Sequence, residues 1–257
     1  MTRVLVTGGS GRLGRATLEI LKKEGYETRA TSRSARASEE GGIRWFGADL
    51  TTGRGLKEAV EGADVVVHLA SAPYRGRYTR RVELDGTGAL LAAARAAGVR
   101  HLVYLSIVGA DRVPWGYFRV KVQAERLVRD GGVPWTVLRA TQFHEFVEQA
   151  LRGMARFGAL VADPGIPAQP VDVRDVARRL TDVIEAGPRR GVEEFGGPEV
   201  LTMAEAAESW VRARGVRRPV LRMRVPGALG RGFRAGHLVT DARPTGELTW
   251  ERYLRGE

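Results

Sequence analysis

The N-terminal stretch RVLVTGGSGRLG, residues 3–14, decides the fold of this chain. Its first five residues form a mostly apolar run that ends at Gly8, a pattern typical of a buried parallel strand. Gly8, Gly11 and Gly14 are spaced by three, and the leucines that follow as far as Lys23 recur at helical intervals. The stretch therefore predicts a strand, a tight glycine turn and the start of a helix.

This order of elements predicts a site for a dinucleotide. Glycines let the backbone approach a diphosphate closely, and the helix N-terminus supplies N–H donors and the positive end of the helix dipole. A glycine-rich turn that binds nothing is the alternative. The cofactor-binding residues expected in the turn are Thr7, Gly8, Gly11, Arg12, Leu13 and Gly14.

Apolar strands alternate with amphipathic helices along the first two thirds of the chain, which predicts an α/β fold with a doubly wound parallel sheet, the Rossmann fold. We expect a binding domain over residues 1–190 and a small C-terminal lobe on the substrate side over 191–257, with one clear helix at Thr202–Arg214. The predicted strands are Arg3–Thr7, Glu27–Arg33, Ile43–Ala48, Asp64–Ala70, His101–Val108 and Trp135–Ala140. The main helices are expected at Gly11–Lys23, Arg54–Glu61, Val82–Ala97, Phe118–Arg129 and within Val171–Ile184.

The residue expected to meet the adenosine ribose is basic. Arg33 ends the second predicted strand. An acid there would bind the ribose hydroxyls of NAD, whereas a guanidinium forms forked bonds to a 2′-phosphate, so NADP(H) is favoured over NAD(H). Arg12 and Arg36 are close enough in sequence to assist, although each also suits an ordinary surface position. Further cofactor contacts are expected at Asp49, which suits the adenine amino group, and at Leu50, Ala70 and Ser71.

Composition excludes several classes of protein. The 257 residues contain no cysteine, which excludes disulfide scaffolds, thiolate metal sites and cysteine nucleophiles, and the four scattered histidines predict no metal site. No apolar run is long enough for a membrane helix and no signal peptide is recognisable, so we expect a soluble cytoplasmic protein.

The net charge of +11 comes mostly from arginine, since only four of the 41 basic residues are lysine. This bias makes nucleic acid an unlikely partner. Eight arginines and no acid lie between Arg212 and Arg234. Such a run fits a solvated surface, or else a contact with an anion, a membrane or a partner.

Three residues form a candidate chemical site. Ser106 follows the fifth predicted strand, at the carboxyl edge of the sheet where ligands bind. Tyr117 and Lys121 are four residues apart, so a helix would bring them to one face, where an ammonium lowers the pKa of a phenol and makes it a usable general acid. The alternative is that Tyr117 only packs and Lys121 is solvated.

These motifs together resemble the short-chain dehydrogenase/reductase superfamily, in its atypical NmrA-like NAD(P)-binding branch. The resemblance implies that Tyr117 donates the proton, that Lys121 holds the nicotinamide ribose, and that Ser106 orients a substrate carbonyl. The chain departs from active relatives at Glu83, where they carry an asparagine that supports a water relay. Besides the glycine turn and the Tyr117/Lys121 pair, the resemblance rests on Ala48-Asp49-Leu50, His68-Leu69-Ala70, residues 104–109, residues 135–139 and residues 171–177.

The loop after the sixth predicted strand is expected to face the substrate. Gln142 and His144 would bond a substrate oxygen, and Phe143 and Phe146 would wall the pocket. A histidine beside aromatic residues is also commonly structural. The sequence does not identify the substrate itself.

The leading functional hypothesis is an NADPH-dependent reductase of a carbonyl, a quinone or a similar small molecule, acting as a monomer or homodimer. The alternative is a non-catalytic NADP(H)-sensing regulator, in which the segment Arg212–Arg234 contacts a protein or nucleic-acid partner. Such regulators in this branch often lack the Tyr/Lys pair, which this chain retains. Nothing in the sequence selects a third class, an epimerase or dehydratase.

Overall fold

The computed structural model describes residues 1–34 and 38–257. Its contacts divide the chain into two compact units. The first unit comprises Met1–Ser106, Arg119–Leu138 and Ala177–Glu193, and the second comprises Ile107–Phe118, Arg139–Val176 and Glu194–Glu257. The predicted boundary between residues 190 and 191 stays a prediction about domains, although the last segment of the second unit begins close to it.

An eight-stranded sheet organises the fold, with the order β10-β7-β6-β5-β1-β2-β4-β3. Its parallel core repeats the strand order of a doubly wound nucleotide-binding sheet, so the predicted fold class is confirmed. The strands are β1 Arg3–Thr7, β2 Glu27–Ser32, β3 Ser38–Glu40, β4 Ile43–Gly47, β5 Val65–His68, β6 His101–Ile107, β7 Trp135–Ala140, β8 Leu160–Ala162, β9 Pro167–Ala168, β10 Val192–Phe195, β11 Leu201–Thr202 and β12 Val220–Arg222.

Most of the described helices occupy connections between these strands, and the last two follow β12. Those around the sheet cover a core to which Leu5, Leu90, Leu102 and Val137 contribute fully buried side chains. The helices are α1 Arg12–Lys23, α2 Leu56–Val60, α3 Arg77–Arg80, α4 Thr87–Ala96, α5 Gly116–Asp130, α6 His144–Ala155, α7 Val173–Ala186, α8 Met203–Arg214, α9 Gly227–Arg234 and α10 Trp250–Arg255.

Several elements differ from the predicted ones. Helix α6 begins at His144, where a loop was expected to continue as far as Phe146. The edge strand β3 pairs antiparallel with β4, and its three exposed polar residues carry no alternating apolar pattern that would reveal a strand. The helix predicted at Val82–Ala97 starts earlier, because α3 runs into α4 through a π-helical turn at Arg81–Gly86. Such a turn contains one residue more than an α-helical turn and is frequent at functional sites.

The second unit has a separate small core. Trp210 and Trp250 are almost fully buried in it, together with Leu151 and Leu160. Helix α8 starts with the predicted capping box, in which the Thr202 hydroxyl accepts from the Glu205 amide and the Glu205 carboxylate accepts from the Thr202 amide. Two short strand pairs complete this unit, β8 with β12 and β9 with β11.

Across residues 1–34 and 38–257, every helix is too short or too polar to span a bilayer.

Candidate functional site

In the glycine turn between β1 and α1, the positions of Gly8 and Gly14 leave no room for a side chain. A Cβ atom at Gly14 would lie 2.3 Å from the Gly8 carbonyl oxygen, and one at Gly8 would lie 2.9 Å from the backbone of Ala70. Gly8 also has a φ of 71°, which favours glycine. The N-cap Gly11 offers no side-chain cap, and the first turn of α1 holds no acid. The N–H groups of this turn therefore suit an anionic ligand such as a diphosphate.

The side chains beside the turn separate into buried and exposed ones. Leu13 is buried, whereas Arg12 is exposed. Thr7 is fully buried, and its hydroxyl accepts from the amides of Leu69 and Ala70. It is also 2.7 Å from Nδ1 of His68. Thr7 thus fixes the loop after β5 against β1, and its predicted contact with a cofactor stays a prediction.

Arg33 lies directly after β2, with an exposed guanidinium. Its Nη1 donates to the hydroxyl of Tyr78 at 2.6 Å, so a neutral partner orients the group without removing its charge. Asp49 follows β4, and its Oδ1 accepts from the amide and the hydroxyl of Thr51. These bonds, assisted by the charges of Arg33 and Arg54, lower the pKa of Asp49. Arg36 lies outside the described residues.

Glu83 lies in the π-helical turn and is completely buried. Its Oε1 accepts a short bond from the hydroxyl of Ser71 and a 3.3 Å bond from the amide of Ala72, while its Oε2 accepts from Tyr104 and Lys121 at 3.3 Å. Burial alone would raise the pKa of Glu83, but the charge of Lys121 and the Ser71 hydroxyl lower it overall. The carboxylate is therefore ionised, and Lys121 is its counter-ion.

Lys121 is almost fully buried. Its ammonium group contacts two hydrogen-bond acceptors and one aromatic ring. Besides the bond to Glu83, Nζ donates to the carbonyl oxygen of Leu105 at 2.9 Å and lies 4.2 Å from the centre of the Tyr104 ring. To bind a ribose hydroxyl, as the resemblance implies, Lys121 must exchange one of these partners. The alternative of a solvated Lys121 is wrong, because only 5% of its side chain is exposed.

Ser106 is placed at the carboxyl end of β6 and is buried. Its hydroxyl donates to Oε1 of Glu125 at 2.5 Å. Glu125 lies in α5, one turn beyond Lys121, and is itself buried. Because the Ser106 proton points to Glu125, the hydroxyl must turn away from this carboxylate before it can donate to a substrate carbonyl.

Tyr117 is the second residue of α5, one turn before Lys121, as predicted. It is half-buried and belongs to the second unit. Its ring centre lies 6.4 Å from that of Phe118. The helical spacing of the pair is confirmed, and the role of the phenol in proton transfer stays a prediction.

The loop after β7 and the first turn of α6 place their polar residues within the second unit. The amide of Gln142 donates to the carbonyl oxygen of Leu238 and accepts from the amide of Gln169, so both of its ends are occupied. Phe143 is the N-cap of α6, and its neighbour Phe146 is 40% exposed. His144 is completely buried, with ring centres 5.7 Å from Trp250 and 4.9 Å from Tyr253, and Nδ1 is 3.6 Å from Asp172. This placement matches the structural alternative for His144, and its substrate role stays a prediction.

A metal site has no counterpart in the part of the chain that the structure describes, where no group of three or more His, Asp or Glu side chains converges.

Comparison with known proteins identifies the family. A family described as NAD(P)H-binding matches residues 8–186, which include the glycine turn, Glu83, Ser106 and Lys121. The chain belongs to this NAD(P)H-binding family. The resemblance to the atypical short-chain dehydrogenases is confirmed with it.

Several relatives of this family member are reductases. The (4-alkanoyl-5-oxo-2,5-dihydrofuran-3-yl)methyl phosphate reductase of Streptomyces griseus is 30% identical over 221 residues, which cover 82% of this chain and 74% of that protein. Quinone oxidoreductase 2 of Escherichia coli K12 is 24% identical over 221 residues, with the same coverages of 82% and 74%. The predicted class, an NAD(P)-binding oxidoreductase of small molecules, is confirmed.

The fold of the family member also matches a solved structure. The NADPH-dependent quinone oxidoreductase of Escherichia coli complexed with NADPH has a TM-score of 0.79 to this chain at 22% identity. The match covers 98% of this chain and 99% of that one. At this identity the likeness establishes the shared fold.

Sequence reasoning missed the acceptors and donors around Lys121 and Ser106. Tyr104 was predicted only as an apolar strand position, although it donates to Glu83 and lies under Lys121. Glu125 and the orienting role of Tyr78 on Arg33 were also missed. One signal was available, since Glu83 precedes Gly86 and Leu90 on what would be the apolar face of a helix.

Proposed function

We propose that this protein is an NADPH-dependent reductase of a carbonyl, a quinone or a comparable polarised small molecule. The observation that carries the proposal is the enclosed Lys121 ammonium, held by Glu83 and Leu105 at the carboxyl end of β6 and one helical turn from Tyr117. A bound NADPH would supply the hydride. The reductase names of relatives support the same reaction class.

In this proposal the chain's own residues handle the proton. Tyr117 donates its phenolic proton to the substrate oxygen as that oxygen gains negative charge, and the Lys121 ammonium stabilises the phenolate left behind. Glu83 keeps Lys121 in position and balances its charge between turnovers. Ser106 orients the substrate oxygen once its hydroxyl has left Glu125. Glycine at positions 8, 11 and 14 admits the diphosphate of the cofactor.

Replacing Tyr117 tests this chemistry. Tyr117→Phe removes the proton donor and keeps the ring, so turnover should fall about 100-fold or more while NADPH affinity stays unchanged. The assay follows NADPH absorbance with a panel of quinones and ketones, and calorimetry gives the NADPH affinity. Tyr26→Phe, on the half-buried tyrosine that directly precedes β2, serves as the matched control.

If Tyr117→Phe reduces the panel as fast as the unaltered protein, Tyr117 has no part in the reaction. If the unaltered protein binds NADPH and reduces no member of the panel, the hypothesis of an NADP(H)-sensing regulator replaces that of a reductase.

The preference for NADPH rests on Arg33. Its exposed guanidinium, oriented by Tyr78, suits the 2′-phosphate, and no acid follows β2 within Ser32–Ser34 to bind ribose hydroxyls instead. Arg33→Ala should weaken NADPH binding about tenfold and leave NADH binding nearly unchanged, because NADH lacks that phosphate.

Calorimetric titration with both coenzymes measures this preference, and Arg95→Ala, which removes an exposed arginine from α4, controls for the change in net charge. Equal losses for NADPH and NADH would contradict the role of Arg33.

A further inference from the structure

A shallow cavity of about 480 Å³, largely open to solvent, lies in the second unit, at the C-terminal ends of α6 and α8. Four arginines line it, and we call it the arginine cavity. Neither the coenzyme nor the proton chemistry proposed above involves these residues. The lining residues are Arg152, Ala155, Arg156, Trp210, Arg214, Val216 and Arg218.

The charges around the arginine cavity are unbalanced. Glu148, buried beside it, accepts from Arg152 at 2.9 Å and from Arg214 at 2.8 Å. Within residues 1–34 and 38–257, no other acid pairs with a lining arginine, and Arg156 and Arg218 have no ion-pair partner. Four positive charges thus meet one negative charge, and the two unpaired guanidinium groups are exposed.

The four arginines differ in how firmly they are held. Arg152 and Arg214 share the Glu148 carboxylate, which also accepts from the indole of Trp210 and the hydroxyl of Tyr253. Arg214 donates in addition to the carbonyl oxygen of Leu254. These bonds fix two guanidinium groups at the cavity wall, while Arg156 and Arg218 keep all their donors available.

Helix electrostatics explain only part of this arrangement. Arg152 and Arg214 lie in the last turns of α6 and α8, where a cation is favourable to the helix dipole. Arg218 lies beyond α8 in the segment before β12, and so gains nothing from that dipole. Like charges around one concavity repel, and an anion between them would remove that repulsion.

We propose that the arginine cavity binds a phosphorylated small molecule, with Arg156 and Arg218 as the principal phosphate ligands. The forked guanidinium group matches the geometry of phosphate oxygens, and its bonds to phosphate are charge-assisted. The volume lies in the range of small-molecule pockets, about 300–1,000 Å³. The arginine-rich run from Arg212 to Arg234 contributes two of the four arginines.

Calorimetric titration of inorganic pyrophosphate into the full chain tests this site. The protein is first loaded with NADP⁺, so that the glycine turn does not take up the probe. One further binding event is expected, and Arg156→Ala/Arg218→Ala should weaken it about tenfold or more. NADPH affinity and turnover should not change in this variant, because neither arginine belongs to the proposed reaction.

A control with the same loss of charge is Arg95→Ala/Arg126→Ala, which removes two exposed arginines from the first unit. Pyrophosphate binding that survives in Arg156→Ala/Arg218→Ala, or that falls equally in the control, would overturn the proposal. So would the absence of any binding to the unaltered protein. A single-stranded oligonucleotide that binds the same two arginines more tightly than pyrophosphate would replace the small molecule by a nucleic acid.

Discussion

Glu83 in the first unit and Glu148 in the second are both buried carboxylates that accept from a basic residue and from a tyrosine. The basic side chains that pair with these two glutamates differ in their exposure to solvent. Only 5% of the Lys121 side chain is exposed, whereas Arg152 is 61% exposed and Arg214 is 32% exposed. One glutamate therefore belongs to a closed pair, and the other anchors solvated cations at the wall of a cavity.

The difference shows that the same residue type can serve two purposes. A closed pair has no charge left over, so it fixes an internal geometry, here the position of Lys121 at the carboxyl end of β6. An open cluster fixes the positions of its cations and leaves a positive excess directed at solvent. The closed pair is also the more costly one to break, since its remaining charge has no access to water.

The largest expected effect comes from neutralising each glutamate in turn. Glu83→Gln leaves the Lys121 ammonium buried without a counter-ion and should lower the free energy of unfolding by about 4 kcal/mol. Glu148→Gln leaves its arginines in water and should cost about 2 kcal/mol, mainly in lost hydrogen bonds. Urea unfolding of both variants measures the two values. A smaller loss for Glu83→Gln than for Glu148→Gln would contradict the conclusion that the closed pair is the more costly one to break.

The pH dependence of stability should separate the two regions. Burial lowers the pKa of His68, which neighbours the Glu83 pair, from 6.5 to about 4. The unfolded chain then binds more protons between these values, so this stabilisation is complete above pH 6.5 and is lost as the pH falls towards 4. For Glu148, burial acts to raise the pKa, but bonds from Tyr253 and the arginines lower it from 4.5 to about 2. Its contribution is present above pH 4.5 and is lost towards pH 2.

Each loss amounts to about 3 kcal/mol at most. Circular dichroism during urea unfolding from pH 8 to pH 2 measures it. The first loss should shrink in His68→Asn, and the part that remains belongs to His101, because burial lowers its pKa from 6.5 to about 4 as well. The second loss should shrink in Glu148→Gln, and part of it remains because the bonds from Arg3 lower the pKa of Asp64 from 3.8 to about 2. If the whole acid loss occurs below pH 4.5, the assignment to His68 is wrong.

The smallest expected effect concerns the two tyrosines. Tyr253 donates to Glu148 at 2.6 Å and Tyr104 donates to Glu83 at 3.3 Å. Tyr253→Phe should therefore cost about 1.5 kcal/mol and Tyr104→Phe about 0.5 kcal/mol, because the shorter bond to a carboxylate is the stronger one. Thermal unfolding monitored by calorimetry is precise enough to rank them. The reverse ranking would show that burial, and not bond length, governs these contributions.

Local patterns predicted the elements that local chemistry determines. The run before Gly8, the spacing of three glycines and the capping box at Thr202 each involve neighbours in sequence, and each is present in the structure. The doubly wound fold class followed because strands that alternate with helices form a parallel sheet with crossovers of fixed hand. The edge strand β3 was missed because its exposed residues give no apolar pattern.

The candidate site was only half predictable. Tyr117 and Lys121 share a helix, so their spacing revealed them. Glu83 and Lys121 are 38 residues apart and meet only in the folded chain, as do Ser106 and Glu125. The sequence identified Glu83 as a departure from relatives, but it could not show that this carboxylate pairs with Lys121.

The π-helical turn at Arg81–Gly86 sets the angular phase between the helical segments on either side of it. Tyr78 on one side reaches Arg33, and Thr87 on the other lies 3.0 Å from His68. Removing one residue from the turn would restore α-helical winding and rotate the preceding segment by about 100°. Only one of the two hydroxyls would then meet its partner, so a single-residue deletion here would break either the contact of Tyr78 with Arg33 or that of Thr87 with His68.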